Sequence, residues 1–194
     1  MKKIVKVSSV LAIILVLVGC QKNEVEIDYG NSLVNSNDNE LPITTKEGVS
    51  DIYLCELYLQ VLEDLWNIDS GLNNEISQIG IDLSELSNLN EDQKDYVISK
   101  FASKHNLPYI AGTWEELCEQ GYIDKDNLCW EDGLFFSIKT NEDALKADSE
   151  GLEYASFDAQ KWRSGLGAYF FGQCLAQKNA DGKWSYTVGQ EAIA

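Results

Sequence analysis

The side chains able to do chemistry in this 194-residue chain are few in kind: five cysteines, one histidine and 32 carboxylates. The cysteines divide into two groups. Cys20 stands where an apolar run, Val7 to Val18, gives way to a polar stretch, with the small Gly19 directly before it. A thiolate is a good nucleophile, and a small neighbour lets an enzyme approach, so Cys20 reads as a point of covalent attachment. Cys55, Cys118, Cys129 and Cys174 each have apolar neighbours. In an exported chain they permit two disulfides in any of three pairings, and they equally permit buried thiols. No C-x-x-C spacing is present, which argues against a redox pair or a zinc ribbon.

His105 follows Val97 and Phe101 at helical spacing, near a helix C-terminus where a cation is favoured. That position is structural. A His-based zinc site or a His-assisted nucleophile would rest on this one residue. None of the motifs G-x-S-x-G, H-E-x-x-H, the P-loop or G-x-G-x-x-G occurs. The glycines of "SGLGAYFFG" open a strand and read as bends or bulges. "DKDNLCWED" has calcium-like spacing, but counting from Asp124 an EF-hand would need glycine at Cys129 and glutamate at Phe135. It reads as a surface turn. Paired carboxylates serve glycoside hydrolysis, yet among 32 acidic residues pairs carry no information. The sequence assigns no catalytic residue, no metal and no cofactor.

The first twenty residues have the three-part layout of an export signal: Lys2, Lys3 and Lys6, then the apolar run, then a small residue and polar sequence. The run is too short for an ordinary membrane-spanning helix, which needs about 20 apolar residues. The tetrad Leu17-Val18-Gly19-Cys20 resembles the lipobox of bacterial lipoproteins. The resemblance implies a diacylglycerol on the Cys20 sulfur, cleavage between Gly19 and Cys20, and an extracytoplasmic protein anchored to the bacterial cell membrane by lipid. Two acyl chains, at about 0.8 kcal/mol per buried methylene, hold where one would be marginal.

Charge narrows the partners. The 15 basic residues fall to 12 when Lys2, Lys3 and Lys6 leave with the signal, against 32 acidic ones, a net of −20. Nucleic acid, whose binding needs clustered Lys and Arg, is excluded as a partner. An anionic lipid surface gives no electrostatic help either, which leaves the covalent lipid to contact the bilayer.

Three segments follow: a signal peptide at 1–19, a lipid-anchored tether at 20–48, and one α+β domain at 49–194. The tether, with "NSLVNSNDNELP", has too few large apolar groups to fold. "VSDIYLCELYLQVLEDLW" repeats apolar residues at helical spacing, with Ser50 as N-cap. "ISQIGIDLSEL" alternates as a strand. A second helix runs from Asn90, its cap, towards Pro108, and a third opens with a Thr113–Glu116 capping box and ends at Gly121. "GLFFSIK", "LEYASFDAQKW", "GAYFFGQCLAQK" and "KWSYTVG" read as strands, and "NEDALKA" as a helical turn or two. A type I turn at "NADG" with Gly182 left-handed pairs Asn179 with Lys183, Ala176 with Tyr186 and Cys174 with Val188. One face would then carry Phe170, Gly172, Cys174, Ala176, Trp184, Tyr186 and Val188.

The expected fold is therefore α+β, with N-terminal helices packed on an antiparallel meander of about four strands. By analogy this suggests an NTF2-like cone. "GTWEELCEQGYID" and "KWRSGLGAYFF…DGKWSYTVGQEAI" resemble uncharacterised lipoproteins of Gram-positive bacteria, which implies location and a shared domain but no chemistry. With five Trp and nine Tyr, a binding face is a reasonable expectation. Trp162, Tyr154 and Tyr169 fall on strands and would contact a small apolar ligand or a sugar ring. The expected function is a non-enzymatic module that binds a protein or small-molecule ligand. The alternative is a cell-envelope hydrolase using carboxylates in a cup-shaped pocket.

Overall fold

The structure, a computed structural model, describes residues 48–141, 146–147, 149 and 151–194. The signal peptide, Gly19 and Cys20, nearly all of the tether at 20–48 and most of "NEDALKA" lie outside the described residues.

Three helices form where local chemistry favours them. Helix α1, Gly48–Asn67, buries Leu54, Tyr58, Val61, Leu62 and Leu65. It begins at Gly48, so Ser50 lies within its first turn and is not the cap expected from sequence. Helix α2, Glu91–His105, is closed by a reciprocal pair. Asn90 accepts from the Gln93 amide at 3.0 Å and Gln93 accepts from the Asn90 amide at 2.7 Å. It ends at Asn106 in the left-handed conformation. Helix α3, Trp114–Glu119, has the expected Thr113–Glu116 box, and Gly121 follows with φ +79°.

The strands are β1 Gln78–Asp82, β2 Tyr109–Ala111, β3 Gly133–Thr140, β4 Lys146–Ala147, β5 Glu153–Ser164, β6 Gly167–Lys178, β7 Trp184–Thr187 and β8 Gln190–Ile193. They form one mixed sheet of order β2-β1-β3-β5-β6-β7, with β4 on β5 and β8 on β6. The fold is α+β as expected, but an antiparallel meander of about four strands accounts for only part of it. The β1 strand pairs in parallel with both β2 and β3. Parallel neighbours need crossovers, and α2 and α3 supply them. The chain steps outward from β1 to β2 and then back past β1 to β3. Crossovers of one hand that move in opposite directions must pass over opposite faces of the sheet. Thus α2 covers the inner face beside α1, while α3 covers the outer face.

The inner face is a solid apolar core. Trp66, Phe101 and Phe136 meet ring to ring at 5.1–6.3 Å, and Tyr58 stands edge-on to Phe157 at 5.6 Å. The terminal hairpin has the expected register through Ala176–Tyr186, with Gly182 at φ +80°, and Trp184 is half-buried against this core. The ladder stops at Leu175–Thr187, so the expected Cys174–Val188 pair does not form. On the outer face Trp130 lies flat on two glycines. A Cβ at Gly133 would sit 1.9 Å from Trp130 Cε2, and one at Gly80 would sit 2.5 Å from Leu117 Cδ2. Only residues without a side chain leave room for that indole.

The inner face also holds one completely buried cation, Lys161. Its Nζ donates to the carbonyl of Ile68, to that of Asp69 at 3.1 Å and to Asn73 Oδ1 at 3.4 Å. These oxygens lie just past the C-terminus of α1, where the helix dipole is negative, and the Asp69 carbonyl is shared with the Leu72 amide at 3.1 Å.

Candidate functional site

The outer face of the sheet is roofed at one end by α3 and Trp130. At the other end it presents polar side chains. Asp82 on β1 lies across from Ser137 on β3, Ser137 from Gln160 on β5, and Gln160 from Phe170 on β6. In the next row Lys139 lies across from Asp158. With Glu85, Glu115 and Gln190 these residues line an open groove of about 630 Å³. It runs across the strands, with Phe170 as an aromatic floor.

A β-bulge places that aromatic ring. Phe157 pairs with Cys174 and Ala159 with Phe171, so β6 uses one residue more than β5 over this interval. Gln173 takes φ +52°, an uncommon value for a residue with a side chain. Its amide is satisfied by Asp158 Oδ1 at 2.7 Å, which also accepts from Asn141 Nδ2 at 3.2 Å. The extra residue reverses the alternation. Cys174 and Ala176 point inward as expected, but upstream of the bulge Tyr169 and Phe171 point inward while Phe170 and Gly172 face out. The expectation that Phe170 and Gly172 share the face of Cys174 is therefore corrected. That expectation assumed an unbroken strand.

The rim is held by its own hydrogen bonds. Asp82 Oδ1 accepts from the Ser84 amide at 2.9 Å and the Ser84 hydroxyl at 2.6 Å. The Glu85 carbonyl receives the Thr140 amide at 3.2 Å and hydroxyl at 3.0 Å. Glu115 projects from the first turn of α3, where the helix dipole favours a carboxylate. Among the described lining residues, Asp82, Glu85, Glu115 and Asp158 face one ammonium, that of Lys139. The groove is therefore a region of negative potential.

The three aromatics expected to contact a ligand do not come together. Trp162 is buried on the outer face, perpendicular to Trp114 at 4.2 Å. Tyr154 lies on β5 beside β4, and its alternation is that of Ser156 and Asp158. Tyr169 is buried in the inner core, where its hydroxyl donates to Glu191. None of them lines the groove. Phe170, which does, escaped sequence reasoning because the bulge decides its face. The Gln-rich alternation of β6 and the polar positions Ser137, Asp158 and Gln160 were the available signal.

His105 stacks on Trp66 at 3.9 Å and meets Glu63 Oε1 through Nε2 at 3.2 Å, away from the groove. Asp124 accepts from the Asp126 and Asn127 amides at 3.0 Å and from Asn127 Nδ2 at 2.7 Å, the surface turn expected from sequence. Among the described residues no three of His, Cys, Asp and Glu gather closely enough to hold a metal ion. Cys118, Cys129 and Cys174 are thiols, and burial pushes the Cys174 thiol up to about 12.

Compared with family models, curated proteins and solved structures, the chain finds no match.

Proposed function

We propose that the chain is a lipid-anchored extracytoplasmic binding module of the bacterial cell membrane, tethered through acylated Cys20, and that the outer-face groove is where it takes its ligand. One observation carries the reading: polar side chains from β1, β3, β5 and β6 converge on an open groove of about 630 Å³ while the opposite face of the sheet is filled with core. A pocket of this size suits a small ligand. The cup between helices and sheet that an NTF2-like cone and a carboxylate hydrolase would both use is occupied by Tyr58, Phe101, Phe136 and Phe157. Asp158 and Asp82 already hold backbone amides, which supports binding over acid–base catalysis.

Two measurements test the two halves. In an expressing bacterium, a labelled fatty acid should enter the wild-type chain and not Cys20→Ser, which should stay uncleaved. Labelling of that variant would overturn the anchor. Hydrogen exchange of the detergent-purified chain, with and without a soluble cell-envelope extract, should show added protection on β3, β5 and β6 around Ser137, Gln160 and Gly172. Protection confined to other elements, or none, would overturn the groove as the binding site.

A further inference from the structure

Resting on that reading, we infer that the groove takes a short linear oligosaccharide that carries unsubstituted amino groups. Shape comes first. The lining crosses β1, β3, β5 and β6, and in the neighbouring row Gln190, opposite Gly172, carries it to β8. Five strands at about 4.8 Å spacing make a track of about 19 Å, the reach of a three- or four-sugar chain and longer than one ring. The open side lets such a chain enter and leave at both ends.

Hydrogen-bonding capacity comes second. Gln160, Gln173 and Gln190 each offer donors and acceptors, Ser137 offers both, and the carboxylates accept only. Sugar hydroxyls both donate and accept, so they satisfy this mixture. A linear polyamine only donates and would leave the amide N–H groups of the glutamines unmet. An extended peptide would need main-chain partners, and inside a sheet the backbone groups are already paired in the ladders. Phe170 adds a ring face to stack on a pyranose.

Charge comes third. Four carboxylates against Lys139 disfavour phosphorylated or carboxylated glycans and favour a cationic one. An ammonium on the sugar ring supplies that charge and still leaves the hydroxyls for the amides. Asp158 is a positioning residue in this scheme. It fixes the Gln173 bulge that turns Phe170 outward, so its effect reaches the ligand through the floor.

Calorimetric titration of the full chain in detergent tests the inference with three probes: the β-1,4-linked glucosamine tetramer, its fully N-acetylated counterpart, and spermine. The glucosamine tetramer should bind, the N-acetylated tetramer and spermine about tenfold or more weakly, as expected for loss of one charged or several neutral hydrogen bonds. The exposed rim variants Glu85→Gln and Glu115→Gln should each weaken the glucosamine tetramer several-fold, Glu85→Gln without moving the melting temperature and Glu115→Gln with at most the small drop expected from losing a carboxylate at a helix N-terminus. Asp158→Asn, which keeps an oxygen for the Gln173 amide, should retain more affinity than Asp158→Ala. Equal or tighter binding of the N-acetylated tetramer would overturn the amino-group requirement, and tighter binding of spermine would overturn the sugar. Binding of none of the probes would also overturn the inference, while envelope-induced protection of the groove would still stand for the broader reading. Tetramer binding that ignores both rim variants would overturn the groove itself.

Discussion

Lys161 permits a quantitative test of how the inner core tolerates a charge. Burial pulls its pKa down from 10.5 to about 8, and the nearby Asp69 carboxylate opposes that shift. In the unfolded chain the amine returns to the ordinary lysine range. Between those two values the unfolded state holds a proton that the folded state has released, so raising the pH favours the folded state. From pH about 7.5 to about 10 the gain is about 2 kcal/mol, most of the full value of about 3 kcal/mol for a shift of this size. Other groups work against it. Cys174, pushed up to about 12, and Tyr58 and Tyr186, also raised by burial, keep protons that the unfolded chain gives up, and so lose stability over the alkaline range. The measurement is therefore a difference. Urea unfolding of the wild type and of Lys161→Met, with thiols kept reduced, is compared at each pH. The shared groups cancel, and the wild type should gain about 2 kcal/mol on the variant across the range. A flat difference would refute the reasoning. It would mean that the carbonyls of Ile68 and Asp69 and the negative end of α1 restore the ammonium fully.

Gly133→Ala places a methyl 1.9 Å from Trp130 Cε2 and should cost about 1–3 kcal/mol through overpacking. Its melting temperature should fall by several degrees, while Gly165→Ala, whose methyl would meet Leu128 at 3.4 Å, should melt near the wild type; equal melts would refute the Trp130 packing. In thiol labelling read by mass spectrometry, the partly exposed Cys118 and Cys129 should be modified in the native protein and the buried Cys174 only on unfolding. Early modification of Cys174 would mean that β6 opens locally.

Features set by neighbours in sequence were legible in the sequence. The Asn90 and Thr113 caps, the left-handed Gly121 and the Asn179–Lys183 turn each depend on residues within four positions. The inward faces of α1 and β3 followed from periodicity, because Leu62 and Leu134, Phe136 and Ile138 all face one continuous core. What escaped depends on distant partners. The parallel β1–β2 pair joins segments separated by one helix and the β1–β3 pair segments separated by two, and apolar alternation alone does not fix strand direction. The bulge at Gln173 is held by a carboxylate 15 residues upstream, and one inserted residue is enough to reverse a strand's faces. Lys161 falls in the inward phase of Phe157 and Ala159, where a lysine is out of place by pattern, and the partners that hold it belong to a turn more than ninety residues earlier. The candidate groove was missed for the same reason: Asp82, Ser137, Gln160 and Phe170 come together only through the register of four strands.

The same bulge shapes how the sheet meets its neighbours. One edge of β6 is shared end to end, β8 pairing with Tyr169–Gly172 and β7 with Leu175–Lys178, and the break between them falls beside Gln173. A Cβ on Gly189 at that break would lie 2.6 Å from the Gln173 carbonyl, so the chain between the two short strands passes close against the bulge. Among the described residues, the outer border of the sheet is two runs of four residues on this side and, on the other, the three residues of β2 and the two of β4. A neighbouring chain seeking to extend the sheet finds no long straight ladder to copy, and edge-to-edge aggregation loses its template. On the proposed reading of a lipid-anchored chain, with domains crowded on one surface, that protection would matter more than it does in dilute solution.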